Sequence, residues 1–250
     1  MIKGEVPKEN LAKVTGRVPK ENLGFHRMKA LIFDSSTLIT LSMNSLLDIL
    51  AELKKKFNGK FIITEPVKYE TILHPMQIKR FELEALRINE LLLSKVLEMP
   101  SSLGIKDDEI DYETKKILGI ANAEFSSGGR NIHLIEEGEA SCVALSKILS
   151  KKGIENIVAV DERTTRMLYE KPLNLHKLLE KKLHRKISIN KNNLIFFKDV
   201  AFIRSSEIAY VAYKKGLVKL HNSALDALLY ATKFKGNSIS QEEIEEIKRM

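Results

Sequence analysis

Four short apolar runs recur along this chain: KALIF ends at Phe33, FIIT at Thr64, NIVAV at Val160 and VAFI at Ile203, with helical periodicity between them. Runs this short, without polar alternation, are the pattern of strands buried on both faces. Strands that alternate with amphipathic helices build a mostly parallel sheet, so the expected fold class is α/β. Strands are expected near 29–34, 60–64, 156–161 and 199–204. Helices are expected over 44–57, capped by Asn44 or Ser45 and stopped by Asn58-Gly59, and over 66–74. Further helical stretches run over 76–99, 107–125, 137–151, 162–170, 175–185, 206–215, 223–234 and 241–250. The block near 76–127 reads as a helical insertion and the helices near 206–250 as a C-terminal extension.

Four carboxylates each sit beside an apolar run. Asp34 follows KALIF, Glu70 follows KFIITEPVKY, Glu139 lies in IEEGEASCVAL, and Asp161 closes NIVAV. In open α/β sheets ligands bind beyond the carboxyl ends of strands, so acids delivered there can converge on one cleft and hold a divalent metal. Each acid also has a plainer reading. Asp34 and Asp161 fit helix N-caps, Glu70 fits a solvated helix face, and Glu139 fits the favourable end of a helix dipole.

The 250 residues, 44% of them hydrophobic, suffice for one sizeable domain. A net charge of +8 favours an anionic partner such as nucleic acid. One cysteine, Cys142, excludes an intramolecular disulfide and a Cys-based zinc site, and points to a reducing compartment. No apolar run approaches the roughly 18 residues of a membrane span, so a cytoplasmic protein without membrane association is expected. VPKENL occurs at 6–11 and again at 18–23 in a segment with little apolar content. Residues 1–27 are therefore read as a flexible tail, or as residues before a true start at Met28, and 28–250 as the folded domain.

Phosphate-loop, dinucleotide, G-x-S-x-G and H-E-x-x-H motifs are all lacking, and the six histidines show no ligand spacing. A haloacid-dehalogenase-like phosphatase would need a second Asp two residues after the first, where this chain has Ser36.

FDSSTLI resembles the opening motif of the PIN-domain family, in which an Asp ends strand one and a Ser or Thr follows two positions on. VKYETI is similar to that family's second motif, EGEASCVAL to its GEA-type third, and VAVDERTTR to its fourth. The four occur in family order, from Met28 to about Leu220. The resemblance implies a three-layer α/β/α domain in which Asp34, Glu70, Glu139 and Asp161 bind Mg²⁺ or Mn²⁺, supported by Ser36. It further implies metal-dependent endonucleolytic cleavage of single-stranded RNA. The third acid is Glu where many relatives have Asp, and the chain is longer than the compact toxin members. Alternatives are a PIN-like scaffold that binds RNA or protein with little cleavage, and the toxin of a toxin–antitoxin pair. RNA is the expected partner, with a homo-oligomer and a protein inhibitor left open.

Arg163 and Arg166 follow Asp161 and are candidates to meet phosphate. Ser205 and Ser206 open a helix and offer hydroxyls and amides to phosphate, or simply cap it. Asp226 is read as half of a structural pair. Lys177, Lys181, Lys182, Arg185, Lys186, Lys191 and Lys198 face the single acid Glu180, with Phe196 and Phe197 nearby. That stretch fits a phosphate-backbone track with an aromatic stacking face, although such residues equally form a solvated face and a core.

Overall fold

The computed structural model describes residues 29–218 and 224–249; the tandem repeat, the tail and Met28 lie outside the described residues. Strand β1 (Lys29–Phe33) occupies the middle of a sheet because Ala30, Leu31, Ile32 and Phe33 are all buried. Its neighbours are β2 (Lys60–Ile62) and β5 (Glu155–Ala159), both parallel to it, with Leu31 facing Phe61 on one side and Ile157 on the other. Strand β7 (Phe202–Ile203) adds to β5 in parallel, which gives the order β2-β1-β5-β7. The fold is thus α/β with a parallel central sheet. From β1 the chain steps outward to β2, then crosses back to β5 on the far side of β1. The gap between the ends of β1 and β5 is therefore a topological switch point, where such sheets hold ligands.

After β1 the chain turns at once into α1 (Ser35–Met43), then α2 (Leu47–Lys56). The expected helix over 44–57 thus begins at Leu47 and lacks an Asn44 or Ser45 cap. Asn44 instead closes α1 through its side-chain amide to the Thr40 carbonyl at 2.7 Å, and Ser45 takes a left-handed turn at φ 55°. Residues 66–74 divide into α3 (Glu65–Lys68) and a π-helical turn, Tyr69–Leu73.

The stretch 76–127 contains α4 (Glu82–Leu93) and α5 (Asp107–Ala121), and it is not wholly helical. Between those helices Glu98 returns to the sheet edge, donating its N–H to Phe61 at 2.8 Å and accepting from Ile63 at 3.0 Å. Lys54 and Lys60 pair with the Glu98 carboxylate at 2.9 and 2.7 Å. Helix α5 ends at Ala121, short of the expected 125, because Phe125 enters a second sheet. There β3 (Phe125–Ser127) pairs antiparallel with β4 (Arg130–Asn131) and β6 (Ser188–Ile189). The β3–β4 turn needs left-handed backbone at Gly128 and Gly129, φ 57° and 75°.

Helix α6 (Glu137–Lys151) lies against β1 and β5, and the small residues Gly138, Ala140, Ser141, Cys142 and Ala144 are all buried in that packing. It is followed by α7 (Arg163–Glu170) and α8 (Pro172–Leu183). The expected C-terminal helices are α9 (Ser205–Lys214), α10 (Ala224–Phe234) and α11 (Gln241–Arg249). As expected, Asp226 forms a structural pair, accepting from Lys248 at 2.7 Å.

Candidate active site

Asp34 is the junction of β1 and α1. Its backbone N–H donates to Ala159 at 2.9 Å, which extends the β1–β5 ladder to the switch point. Its carboxylate caps α1, accepting from the Ser36 amide at 3.0 Å and from the Ser36 hydroxyl. The plain N-cap reading is therefore correct as far as it goes. The other oxygen, Oδ1, is buried without a partner, and the side chain is only 2% exposed. Burial pushes the Asp34 carboxyl up to about 6, with Glu70 adding repulsion and the Ser36 bonds opposing it.

Glu70 arrives from the β2 side on the π-helical turn, whose extra residue is marked by the His74 N–H reaching the Tyr69 carbonyl at 2.9 Å. Such turns break helical register and recur at functional positions. The Thr64 and Ser141 hydroxyls, 2.6 Å apart in the interior, tie the start of α3 to α6. Glu70 accepts from the Ser35 hydroxyl and fills the space over Gly138, where a Cβ would stand 2.5 Å from one carboxylate oxygen. Glycine opens α6 here because the Glu70 head group occupies the place of its side chain.

Glu139 sits in the first turn of α6 and closes a capping box, one oxygen accepting from the Glu136 amide at 2.8 Å. Its carboxyl is nevertheless pushed up to about 8, by burial first, then by the charges of Asp34, Glu162 and Glu70, against the pull of the Glu136 amide. Asp34, Glu70 and Glu139, from three separate segments, therefore act on one another electrostatically. Glu162 joins them from the N-cap of α7, where it accepts from Thr165 at 2.8 Å.

Asp161 is fully buried beyond β5. Oδ1 accepts from the Ser205 amide at 2.8 Å, the Ser205 and Thr40 side chains lie near enough to favour the charged form, and Oδ2 is buried without a partner. Burial raises its pKa, while those donors and the Arg166 charge hold it down. Asp161 joins the other acids through Ser36, whose hydroxyl bonds Asp34 and accepts from the Asp161 amide at 3.0 Å.

Among the described residues, no three His, Cys, Asp or Glu side chains stand close enough to hold one metal ion as they are now placed. The chemistry of the donors nonetheless suits a hard cation. All are carboxylates, and Asp34 Oδ1 and Asp161 Oδ2 are buried acceptors lacking a donor.

The outer candidates separate clearly. Arg163 is exposed on the first turn of α7, free to face a ligand. Arg166 turns toward the C-terminal segment, donating to the Ser238 carbonyl at 3.3 Å. Ser205 does not face a substrate: it is fully buried, and its amide is committed to Asp161. Lys181, Lys182, Arg185 and Lys186 are exposed at the end of α8 and the turn after it, where Glu180 accepts from the Ile187 amide at 3.2 Å. The phenylalanines do not form an open stacking face. Phe197 is 1% exposed in the core, and the Lys147 ammonium lies 3.6 Å from the Phe196 ring centroid.

Sequence reasoning missed Glu162, Ser35 and Thr40. A second acid directly after the strand-end Asp161 was the signal for Glu162. The spacing of four between Ser36 and Thr40, which places them on one helix face, was the signal for Thr40. The Cys142 thiol, buried beneath the acids and bonded to the Phe33 carbonyl at 3.6 Å, is pushed well up by burial and by Asp34, Glu70 and Glu139. Compared with protein-family models, curated proteins and solved structures, the chain matches none.

Proposed function

We propose that this chain is a PIN-like, three-layer α/β/α endoribonuclease that uses Mg²⁺ or Mn²⁺ to cleave single-stranded RNA. The observation that carries the reading is the mutual electrostatic influence of Asp34, Glu70 and Glu139, delivered from three segments to the switch point of a parallel sheet. Asp34 and Glu139, whose carboxyls are raised by burial and by neighbouring negative charge, are poised to receive positive charge. Asp34, Glu70, Glu139 and Asp161 would hold the metal.

A bound Mg²⁺ or Mn²⁺ would supply Lewis acidity to the phosphodiester and acidify the attacking water. Ser36 keeps the ends of β1 and β5 in register by bonding both Asp34 and the Asp161 amide. Glu139, pushed to about 8, carries its proton at neutral pH and releases it when a cation is bound. Arg163 would meet a phosphate. Lys181, Lys182, Arg185 and Lys186 guide the RNA backbone through sequence-independent charge.

The test is cleavage of labelled single-stranded RNA with Mg²⁺ or Mn²⁺ by the parent, Asp34→Asn and Asp161→Asn proteins. Both substitutions are expected to abolish metal-dependent cleavage while circular dichroism stays unchanged. Activity that survives both, or that persists in excess EDTA, rules the reading out. A non-cleaving RNA-binding scaffold is the second reading, favoured by the spacing of the described acids, which does not gather three around one ion as they are now placed.

A further inference from the structure

We propose that Arg204 and Asn237 are positioning residues that hold the Ser205 donors on Asp161, so that the C-terminal segment is a working part of the acidic site. Arg204 is the residue before Ser205 and is 1% exposed. Its guanidinium donates to Glu207 at 2.7 and 3.2 Å and to Glu243 of α11 at 2.9 Å. Its amide donates to the second Glu207 oxygen at 2.8 Å. The N-terminal turn of α9 is thereby clamped through its side chains and backbone alike, and the next amide in the chain is the one that meets Asp161 Oδ1.

The segment between α10 and α11 reaches Ser205 and the Asp161 backbone from another side. Asn237, 3% exposed, donates to the Ser205 hydroxyl at 3.2 Å, and Ser238 donates its amide to the Asp161 carbonyl at 3.4 Å. Gly236 passes so close to Thr40 that a Cβ there would lie 3.0 Å from the Thr40 hydroxyl. A buried guanidinium shared by two carboxylates is stabilising only while its geometry is complete, which suits it to fixing a position rather than adding stability. Donors that orient a ligating carboxylate affect metal affinity although they never touch the metal.

Only the consequence for catalysis rests on the proposed function; the positioning itself can be read in cation-free protein. The test uses the full chain as Asn237→Ala, Glu243→Gln and, as a control, Lys248→Gln, which loosens α11 at its surface without touching Arg204. Amide hydrogen exchange followed by NMR should show Ser205 exchanging at least about tenfold faster in Asn237→Ala and Glu243→Gln, with Leu31 and Ile157 in the sheet still protected. Mn²⁺ affinity, measured by titration calorimetry, should fall about 10- to 100-fold in the same two variants. Lys248→Gln should change neither. Ser205 exchange that matches the control, or that rises only together with the sheet amides, overturns the proposal. A parent protein that binds no Mn²⁺ refutes the metal reading, while the exchange result still decides the positioning. Should Glu243→Gln fail to fold, Asn237→Ala, which removes no charge, decides alone.

Discussion

At the scale of single residues, burial and neighbouring charge hold Asp34 and Glu139 at a disadvantage that the proposed cation would relieve. The Asp34 carboxyl shifts from 3.8 in its ordinary state to about 6, and that of Glu139 from 4.5 to about 8. Because the folded values are raised, the folded chain binds more protons than the unfolded one. Stability is therefore greatest below about pH 4 for these two groups and is lost as pH rises through about 6 and then about 8. For buried Asp34 the loss is about 3 kcal/mol at most, from 1.36 kcal/mol per pKa unit. Asp34→Asn should therefore raise the melting temperature of the metal-free protein at pH 8, relative to the parent, and flatten its decline between pH 5 and 8. A calorimetric scan across that range checks this; a variant less stable than the parent at pH 8 contradicts it. Gly138→Ala offers a second residue-scale test. The added methyl meets the Glu70 carboxylate, so RNA cleavage should fall at least about tenfold by the barrier arithmetic of displacing one metal ligand, while Ala is well tolerated within a helix. Unchanged cleavage would mean that Glu70 is not held where it acts.

Elements differ in how openly the sequence announces them. KALIF and NIVAV are legible because both faces of those strands are buried, and an uninterrupted apolar run has no other use at that length. The acid at each strand end was legible for the same reason. Helix α1 was not, since SSTLITLSM is rich in β-branched and hydroxyl residues of poor helix propensity. It forms because Leu38, Thr40, Leu41 and Ser42 are buried by the rest of the fold and Asp34 caps it. The two- and three-residue strands β3, β4 and β6 are too short to show a period. The clamp on Ser205 depends on residues from Asp161 to Glu243 meeting in space, which no local pattern encodes. Helix α8 and its turn carry the element-scale prediction. Replacing Lys181, Lys182, Arg185 and Lys186 with Gln should weaken RNA binding across all sequences and reduce the salt slope by about 0.7 per lost phosphate contact. Filter binding at several salt concentrations reads both, and an unchanged slope would place the RNA elsewhere.

For the whole molecule, the proposed cation and pH would act through the same carboxylates. Protons occupy them below about pH 6, so Mn²⁺ should raise the melting temperature more at pH 8 than at pH 5.5. A shift of equal size at both values would place the binding away from Asp34 and Glu139. The net charge of +8 coexists with this acidic cluster, so, on the proposed function, an RNA drawn by the basic surface would meet local repulsion at the switch point unless a cation were present. The order in which the chain supplies its parts has a consequence for synthesis. Asp34, Glu70, Glu139 and Asp161 all leave the ribosome before Ser205, Asn237 and Glu243 are made. A nascent chain can therefore display every acid while Asp161 still lacks the donors that orient it. If the proposed activity holds, a growing polypeptide would stay inert beside its own message until the later segment folds back and the carboxylate is set.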